Sequence, residues 1–254
     1  MKDMKIRLIG IILIMIATVL LWSFIDYLPI IGDPDSAPNT HVSRVYIANG
    51  PTQTNSPNLV TAVLADYRGL DTMLETTVIY LASVAVILIM SGKKSKSELE
   101  LEHGERTAYE AIRNFGSQEI WTVLPILIPV LLLYAIYVLM HGEVSLGGGF
   151  QAGALIAMAY ILYSLVEEEY ERKLKLSQFS LMCIGAVGLL IYFSTGLLPM
   201  VYGGNFLEYG ALPFPFLDEP ERHSTGILMI EIGVTITVAS SIITILNSFL
   251  ERKR

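Results

Sequence analysis

Apolar residues along the chain lie in six long blocks separated by polar segments. A helix needs about 20 residues to cross the hydrocarbon core of a membrane. The blocks reach or approach that length and cover residues 6–25, 70–90, 120–140, 150–166, 179–198 and 225–249. The first begins with basic residues, but it is longer than the apolar region of a signal peptide, and no small-residue cleavage site follows it. The pattern predicts an all-α integral membrane protein with six transmembrane helices.

Basic residues are concentrated in alternate segments between these blocks, and cytoplasmic segments carry the excess of lysine and arginine. The N-terminus, the second and fourth inter-block loops and the C-terminus together hold 14 of the 17 basic residues. The other three loops hold only Arg44, Arg68 and Arg222. This alternation predicts a multi-pass protein of the plasma membrane with both termini in the cytoplasm.

Composition supports the same class and argues against several others. Hydrophobic residues make up 53% and charged residues 16% of the chain, against about a quarter charged in soluble domains. The net charge of -7 lies in loops and gives no reason to expect a nucleic-acid partner. A single cysteine, Cys183, excludes an intramolecular disulfide, and four scattered histidines show no zinc or haem spacing. No catalytic or nucleotide-binding motif appears, so we expect neither a cofactor, a metal nor an active site on this chain.

Loop lengths divide the chain into two predicted units. Residues 1–92 form a two-span unit with a long, proline-rich outer loop at 26–69, and loops of this length usually have a function or pack on a partner. Residues 118–254 form a four-span unit. Between them, residues 93–117 read as a charged cytoplasmic linker, with a helix-prone stretch at 98–115.

The first group of candidate functional residues lies in segment 58–75. Its apolar residues recur at helical spacing, which predicts an amphipathic helix at the outer membrane interface. Four charged residues follow at the mouth of the second block: Asp66, Arg68, Asp71 and Glu75. Asp71 and Glu75 are one helical turn apart and could hold a cation or relay protons, with Arg68 tuning them. The alternative is a salt-bridge cluster on the outer surface.

The second group is the segment His141–Gly153, which contains three consecutive glycines, Gly147, Gly148 and Gly149. Such a run favours a tight turn or a broken backbone that lines a cavity. Gly149, Gly153 and Ala157 are four residues apart, a pattern that lets helices approach closely. The structural interpretation is a turn with close packing. The functional one places His141 and Glu143 on an ion path, with Gln151 as a polar contact.

The third candidate is Glu231, inside the sixth block. If that helix begins near Thr225, Glu231 lies about 9 Å along it. An ionised carboxylate inside a membrane helix costs about 2.5 kcal/mol or more, so it must be protonated, paired or exposed to water. His223 and Arg222 are possible partners. The competing interpretation is a polar clamp between helices. Cys183, with Gly185 and Gly188 nearby, indicates helix packing.

These motifs resemble two known subunits. Segments 32–43 and 58–75 are similar to the small E subunit of archaeal membrane-bound hydrogenases, which is itself similar to the C-terminal part of the A subunit of Mrp-type Na+/H+ antiporters. Segments 141–153 and 230–234 resemble the four-span B subunit of those antiporters. The chain therefore looks like a fusion of the two, which matches the division read from its loops.

The resemblance implies a non-catalytic subunit of a Na+- and H+-translocating module, in an antiporter or in a hydrogenase or sulfur-reducing respiratory complex. Implied partners are antiporter-like subunits of the A and D types, small C-, E-, F- and G-type subunits, and a peripheral redox module. Glu143 and Leu146 stand where the B subunit usually has a second histidine and a proline, and Ala152 where glycine is usual. The missing histidine argues against a histidine-based proton relay here, and Glu143 could titrate in its place. The alternative function is a scaffold that seals and orients the translocating subunits.

Overall fold

A computed structural model describes residues 2–28, 30–90, 118–170 and 176–252. The α-helices in this part are α1 Lys2–Ser23, α2 Ser43–Gln53, α3 Leu59–Thr61, α4 Gly69–Met90, α5 Gln118–Met140, α6 Gly149–Tyr170, α7 Gln178–Val201 and α8 Glu219–Arg252. Short 3-10 helices cover Ile25–Tyr27 and Tyr209–Ala211, and π-helices cover Pro38–Val42 and Ala62–Tyr67. All six apolar blocks are helical, so the all-α prediction agrees with the structure.

Four helices of the described residues are long and apolar enough to cross a membrane. They are Gly69–Met90, Val123–Met140, Gln178–Val201 and Glu219–Phe249. The other two predicted spans form shorter apolar helices, Ile9–Ser23 and Gly149–Ser164. The last helix is longer than predicted, because α8 begins at Glu219 in the acidic, proline-containing segment before Thr225.

The chain forms two compact units, residues 1–48 and residues 49–254. The first contains α1 and a turn at Asp33, whose backbone carbonyl accepts a hydrogen bond of 2.8 Å from the Asn39 amide. Residues 49–90 belong to the same compact unit as the four-helix part of the chain. The division at residues 92 and 118 therefore stays a sequence-based prediction. The linker 93–117, with its helix-prone stretch, lies outside the described residues.

Helix α8 is the centre of the second unit. It packs against α7, α6 and α4. In its most apolar stretch of 18 residues 72% are buried, compared with 11% in the corresponding stretch of α5. Buried apolar side chains around it form the main core: Ala65, Met73, Tyr192, Tyr209, Leu212, Ile227, Ile230, Val234 and Val238. The helix that carries Glu231 is thus enclosed, while α5 leaves most of its apolar surface for lipid or for other chains.

Small residues bring α7 and α8 into close contact. A Cβ atom on Gly188 would lie 2.6 Å from the Gly233 carbonyl oxygen, and one on Gly233 would lie 2.7 Å from the Gly188 oxygen. The Thr237 hydroxyl lies 3.2 Å from the Gly185 carbonyl oxygen, to which it donates. This is the packing predicted for Gly185 and Gly188, whereas Cys183 itself is exposed.

The segment before α4 differs from the single amphipathic helix predicted there. It folds as the short helix α3 followed by the π-helix Ala62–Tyr67. Its apolar side chains Leu59, Val60 and Leu64 are exposed, and the small residues between them are buried. Two buried tyrosines explain this, because Tyr209 donates to the Ala65 carbonyl at 2.8 Å and Tyr192 to the Gly69 carbonyl at 2.7 Å. Only small side chains let the backbone come so close.

Candidate functional site

Glu231 lies on the face of α8 that packs against the turn between α5 and α6. Glu231 is more than nine-tenths buried, with 8% of its surface exposed. A Cβ atom on Gly142 would lie 2.8 Å from Glu231 Oε2, and one on Gly148 would lie 3.1 Å from Oε1. Gly148 also has a φ of +146°, which other residues rarely adopt. Glycine at these two positions therefore lets the backbone of the turn pack onto the carboxylate.

The buried Oε2 atom of Glu231 has no hydrogen-bond partner in the described part of the chain. The predicted pairing with His223 is wrong, because His223 Nδ1 lies 3.0 Å from Asp66 Oδ2 instead. Eight residues of helix separate His223 from Glu231, about 12 Å along the axis. Within the described residues, the Nε atom of Arg222 is also buried without a partner, so it makes no bond to Glu231.

Glu143 lies in the turn, on the side of Glu231 nearer the start of α8. Its Oε2 accepts a hydrogen bond from the Ser224 hydroxyl. Burial raises the pKa of Glu143 above its ordinary value, and the Ser224 hydrogen bond lowers it by a smaller amount. Gly142, the residue before Glu143, packs on the Glu231 carboxylate. Two predicted candidates are thus brought together here.

Three residues of segment 56–61, which we call the clasp, hold this turn in place: Ser56, Asn58 and Thr61. The Asn58 amide donates to the carbonyl oxygens of Gly142 at 2.8 Å and Ser145 at 2.6 Å. Thr61 donates to the same Gly142 oxygen at 2.7 Å, and Ser56 donates to the Glu143 backbone oxygen at 3.0 Å. Sequence reasoning missed the clasp as part of the site. Its one local signal is Asn58, which caps α3 by accepting from the Val60 amide.

Asp66 and His223 form a second polar contact. Both side chains are mostly buried, with 18% and 19% of their surfaces exposed. The edge of His223 meets the Tyr209 ring at a centroid distance of 6.2 Å. Burial raises the pKa of Tyr209 well above its ordinary value, and the charges of Tyr192 and Asp66 raise it further. The pair joins the π-helix to the first turns of α8.

The remaining charged candidates of the first group are exposed. Arg68 Nε lies 2.6 Å from Asp71 Oδ2, and their side chains are 59% and 44% exposed. Glu75 is exposed one turn further along α4. These residues do not join Glu231 in one site, and the Arg68–Asp71 pair has the geometry of the predicted surface salt bridge. Such exposed pairs stabilise by only about 0–1 kcal/mol.

His141 and the glycines at the start of α6 have mainly packing contacts. His141 is exposed and stacks on Tyr137 at a centroid distance of 4.2 Å. A Cβ atom on Gly149 would lie 2.9 Å from Val234 Cβ, and one on Gly153 would lie 2.9 Å from Val238 Cβ. Gln151 is exposed, although its Oε1 would contact a side chain placed at residue 148.

Fold and site together define a bundle with membrane-length apolar helices, built around one enclosed carboxylate. Residues 120–244 match the family described as a domain related to the MnhB subunit of Na+/H+ antiporters. The putative antiporter subunit mnhB2 of Staphylococcus haemolyticus is 33% identical over 129 residues, which cover 49% of this chain and 88% of that protein. The chain belongs to the MnhB family.

Two solved structures have a similar fold. One chain of the membrane-bound sulfane sulfur reductase, an archaeal respiratory membrane complex, aligns with a TM-score of 0.65 and 23% identity, covering 96% of this chain and 97% of that one. The Mrp complex from Dietzia sp. DQ12-45-1b contains a chain that aligns with a TM-score of 0.61 and 23% identity. That alignment covers 97% of this chain and 26% of the other. At this identity, the likeness describes the fold.

Proposed function

We propose that this chain is a non-catalytic membrane subunit of an Mrp-like Na+/H+-translocating module, in an antiporter or in a respiratory complex of the hydrogenase or sulfur-reducing type. Membership of the MnhB family and the fold shared with chains of two multi-subunit complexes support this proposal. The observation that carries it is the enclosed Glu231, whose Oε2 atom has no hydrogen-bond partner in the described chain.

The unpaired atom argues for an ion-carrying role over a polar clamp. An ionised carboxylate at the centre of a membrane helix costs about 2.5–3.5 kcal/mol, so it is retained where it has a function or a partner. A clamp between helices would place a donor against the carboxylate, because an unsatisfied buried polar group costs about 1–3 kcal/mol. Glu231 is held instead against the backbone of two glycines. A proton or a cation would compensate its charge.

The test replaces Glu231 by glutamine in the complex assembled in its own membranes. Glu231→Gln keeps the size of the side chain but cannot carry a proton or bind a cation by charge. We expect the complex to assemble and its Na+ and H+ gradients to fall by roughly tenfold or more. The matched control is Glu219→Gln, which makes the same change at an exposed position of the same helix. Gradients of wild-type size in Glu231→Gln at matched subunit content would refute the role of Glu231.

A scaffold function is the second candidate, and the clasp favours it. Ser56, Asn58 and Thr61 fasten a turn by backbone hydrogen bonds, an arrangement that stiffens the chain. If the chain is a scaffold, its variants lose subunits from the complex in proportion to the lost gradient. If Glu231 carries an ion, the gradient falls while the subunit composition stays unchanged. Quantifying the co-purifying subunits of each variant separates the two functions.

The proposed topology has six spans with both termini in the cytoplasm, and it places the turn at 141–148 outside. Leu146 is 91% exposed in that turn. In a Cys183→Ala background, a cysteine at Leu146 should react with an impermeant thiol reagent on intact cells, while one at Ser95 should not. The background is needed because Cys183 is exposed. Reaction of the cysteine at Ser95 from outside would overturn the orientation.

A further inference from the structure

We propose that Glu231 exchanges a monovalent cation, a proton or Na+, only through the end of the bundle that holds the turn, with Glu143 and Ser224 as the entrance. This inference rests on the proposed function and adds an access direction to it. Within this chain, the route along this face of α8 is closed beyond Thr235. This chain thus contributes only part of an ion path through the complex.

The entrance follows from residue spacing on α8. Ser224 and Glu231 are seven residues apart, which places them on the same face of the helix and about 10 Å apart along it. The Ser224 hydroxyl donates to Glu143 Oε2, and Gly142, the residue before Glu143, packs on the Glu231 carboxylate. A row of hydroxyl and carboxylate oxygens therefore runs from the turn end to the enclosed carboxylate. Oxygen atoms of this kind are ligands for hard cations and acceptors for protons.

The other direction is closed by apolar packing. Thr235 lies one turn beyond Glu231, and its hydroxyl donates to the carbonyl oxygens of Glu231 at 2.8 Å and Gly149 at 3.1 Å. Val238 comes next on this face, 4% exposed, and a Cβ atom on Gly153 would lie 2.9 Å from its Cβ. Ala157, Leu181 and Ile243 form a further buried apolar cluster, with Ile242 packed against it. In the described part of the chain, this face of α8 is thus packed with apolar side chains beyond Thr235.

Three hydroxyl-bearing residues in the second half of α8, Thr237, Ser240 and Thr244, do not extend the route. They lie on the opposite side of the helix, since 100° of rotation per residue turns Thr237, Ser240 and Thr244 away from Glu231. Thr237 and Thr244 donate to carbonyl oxygens of their own helix at 2.9 Å and 2.7 Å. Thr237 faces α7, where it contacts Gly185 and Gly188.

Few titratable groups face Glu231 in the described residues. The turn contributes Glu143 and, pointing away toward Tyr137, the exposed His141. Helix α7 contributes Tyr192, whose hydroxyl is bonded to the Gly69 carbonyl. Asp66 and His223 are paired with each other nearer the start of α8. Glu143 is therefore the group expected to pass an ion to and from Glu231.

The test measures modification of Glu231 by dicyclohexylcarbodiimide in sealed membrane vesicles that contain the native complex. The reagent adds to a protonated carboxyl group and leaves a stable acylurea, which mass spectrometry locates. Na+ or alkaline buffer is added to one side at a time. A cysteine at Leu146, in the Cys183→Ala background, reports in the same vesicles which side the turn faces.

We expect labelling of Glu231 to fall when the turn side is made alkaline, by about tenfold per pH unit above its pKa. The same addition to the other side should leave labelling unchanged. Protection by Na+ at constant pH would identify Na+ as a competing ligand, and a response to pH alone would identify the proton. Glu143→Gln should slow the response from the turn side, while Glu219→Gln should leave it as in the wild type.

Two results would overturn the inference: equal responses from both sides, or no response from either. These failures differ from failure of the proposed function. If Glu231→Gln abolishes gradients while labelling responds from both sides, Glu231 carries an ion but its access is not one-sided. If labelling behaves as expected while Glu231→Gln pumps normally, the site binds an ion that is not part of transport.

Discussion

The two polar faces of α8 show that burial of a polar group is not in itself a sign of function. One face carries Ser224, Glu231 and Thr235 against the turn; we call it the carboxylate face. The other, which we call the hydroxyl face, carries Thr237, Ser240, Ser241, Thr244, Asn247 and Ser248. All but Ser224 are buried. Each face has one buried polar atom without a partner in the described chain, Glu231 Oε2 and Ser241 Oγ, and the faces differ in whether that atom belongs to a group that can carry a charge.

On the hydroxyl face, most side chains are satisfied by the helix itself. Ser240, Thr244 and Ser248 donate to carbonyl oxygens three or four residues earlier at 2.7–3.0 Å. Ser241 is an exception, since its Oγ has no partner in the described chain. A hydroxyl that lacks a partner carries no charge, so it costs far less than a lone carboxylate. The hydroxyl face is therefore suited to close packing, and the carboxylate face to holding an ion.

The largest expected effect on folding comes from breaking the packing of the hydroxyl face with Gly188→Ala. The new methyl group would contact the Gly233 oxygen at 2.6 Å and the Thr237 side chain. Overpacking costs about 1–3 kcal/mol, which corresponds to a fall in melting temperature of about 3–10 °C. Gly10→Ala is the control, because nothing lies within 4 Å of its added Cβ. Equal thermal stability of the two variants in detergent would contradict tight α7–α8 packing.

A smaller effect is expected from Asn58→Ala, which removes hydrogen bonds that hold the turn against the carboxylate face of α8. The variant loses the bonds to Gly142 and Ser145 and the cap of α3. We expect a loss of about 0.5–2 kcal/mol in stability and a reduced gradient per assembled complex, since the turn no longer holds Glu143 in place. Asn49→Ala, in the same compact unit, should change neither. If Asn58→Ala lowers stability alone, the clasp has no influence on the ion site.

The smallest expected effect is a pH dependence at Glu143. Burial raises the pKa of its carboxyl above 4.5, so the fold favours the protonated form. The stability that this group contributes is present below the unfolded pKa and is lost as pH rises through the folded pKa. The glutamine of Glu143→Gln cannot ionise. The melting temperature of this variant should therefore rise relative to that of the wild type as pH rises above 4.5. A difference that is constant with pH would show that Glu143 does not titrate differently in the fold.

The sequence predicted those parts of the molecule that depend on local periodicity. Apolar blocks placed the helices, and the depth of Glu231 marked it as a candidate before its surroundings were known. Glycines four residues apart indicated that one face of α6 packs closely on another helix, because spacing alone decides which face they share.

The missed parts depend on contacts between distant segments. The sequence offered His223 as a partner for Glu231 because both lie on one helix, yet Asp66, 157 residues away, takes that bond. Tyr209 positions the π-helix and Tyr192 positions the start of α4, and both lie more than 120 residues further along the chain. Asn58 signalled a helix start, but nothing near it in sequence shows that its amide also reaches the turn.

The most direct test of the account compares one substitution on each face of α8 in the assembled complex. Glu231→Gln and Thr237→Val are both nearly isosteric, and each is measured for gradient formation per complex and for melting temperature. The account predicts a crossed result. Glu231→Gln loses the gradient and keeps its stability, whereas Thr237→Val keeps the gradient and loses about 1 kcal/mol with its hydrogen bonds. If instead Glu231→Gln keeps the gradient and is destabilised like Thr237→Val, both faces of α8 serve packing.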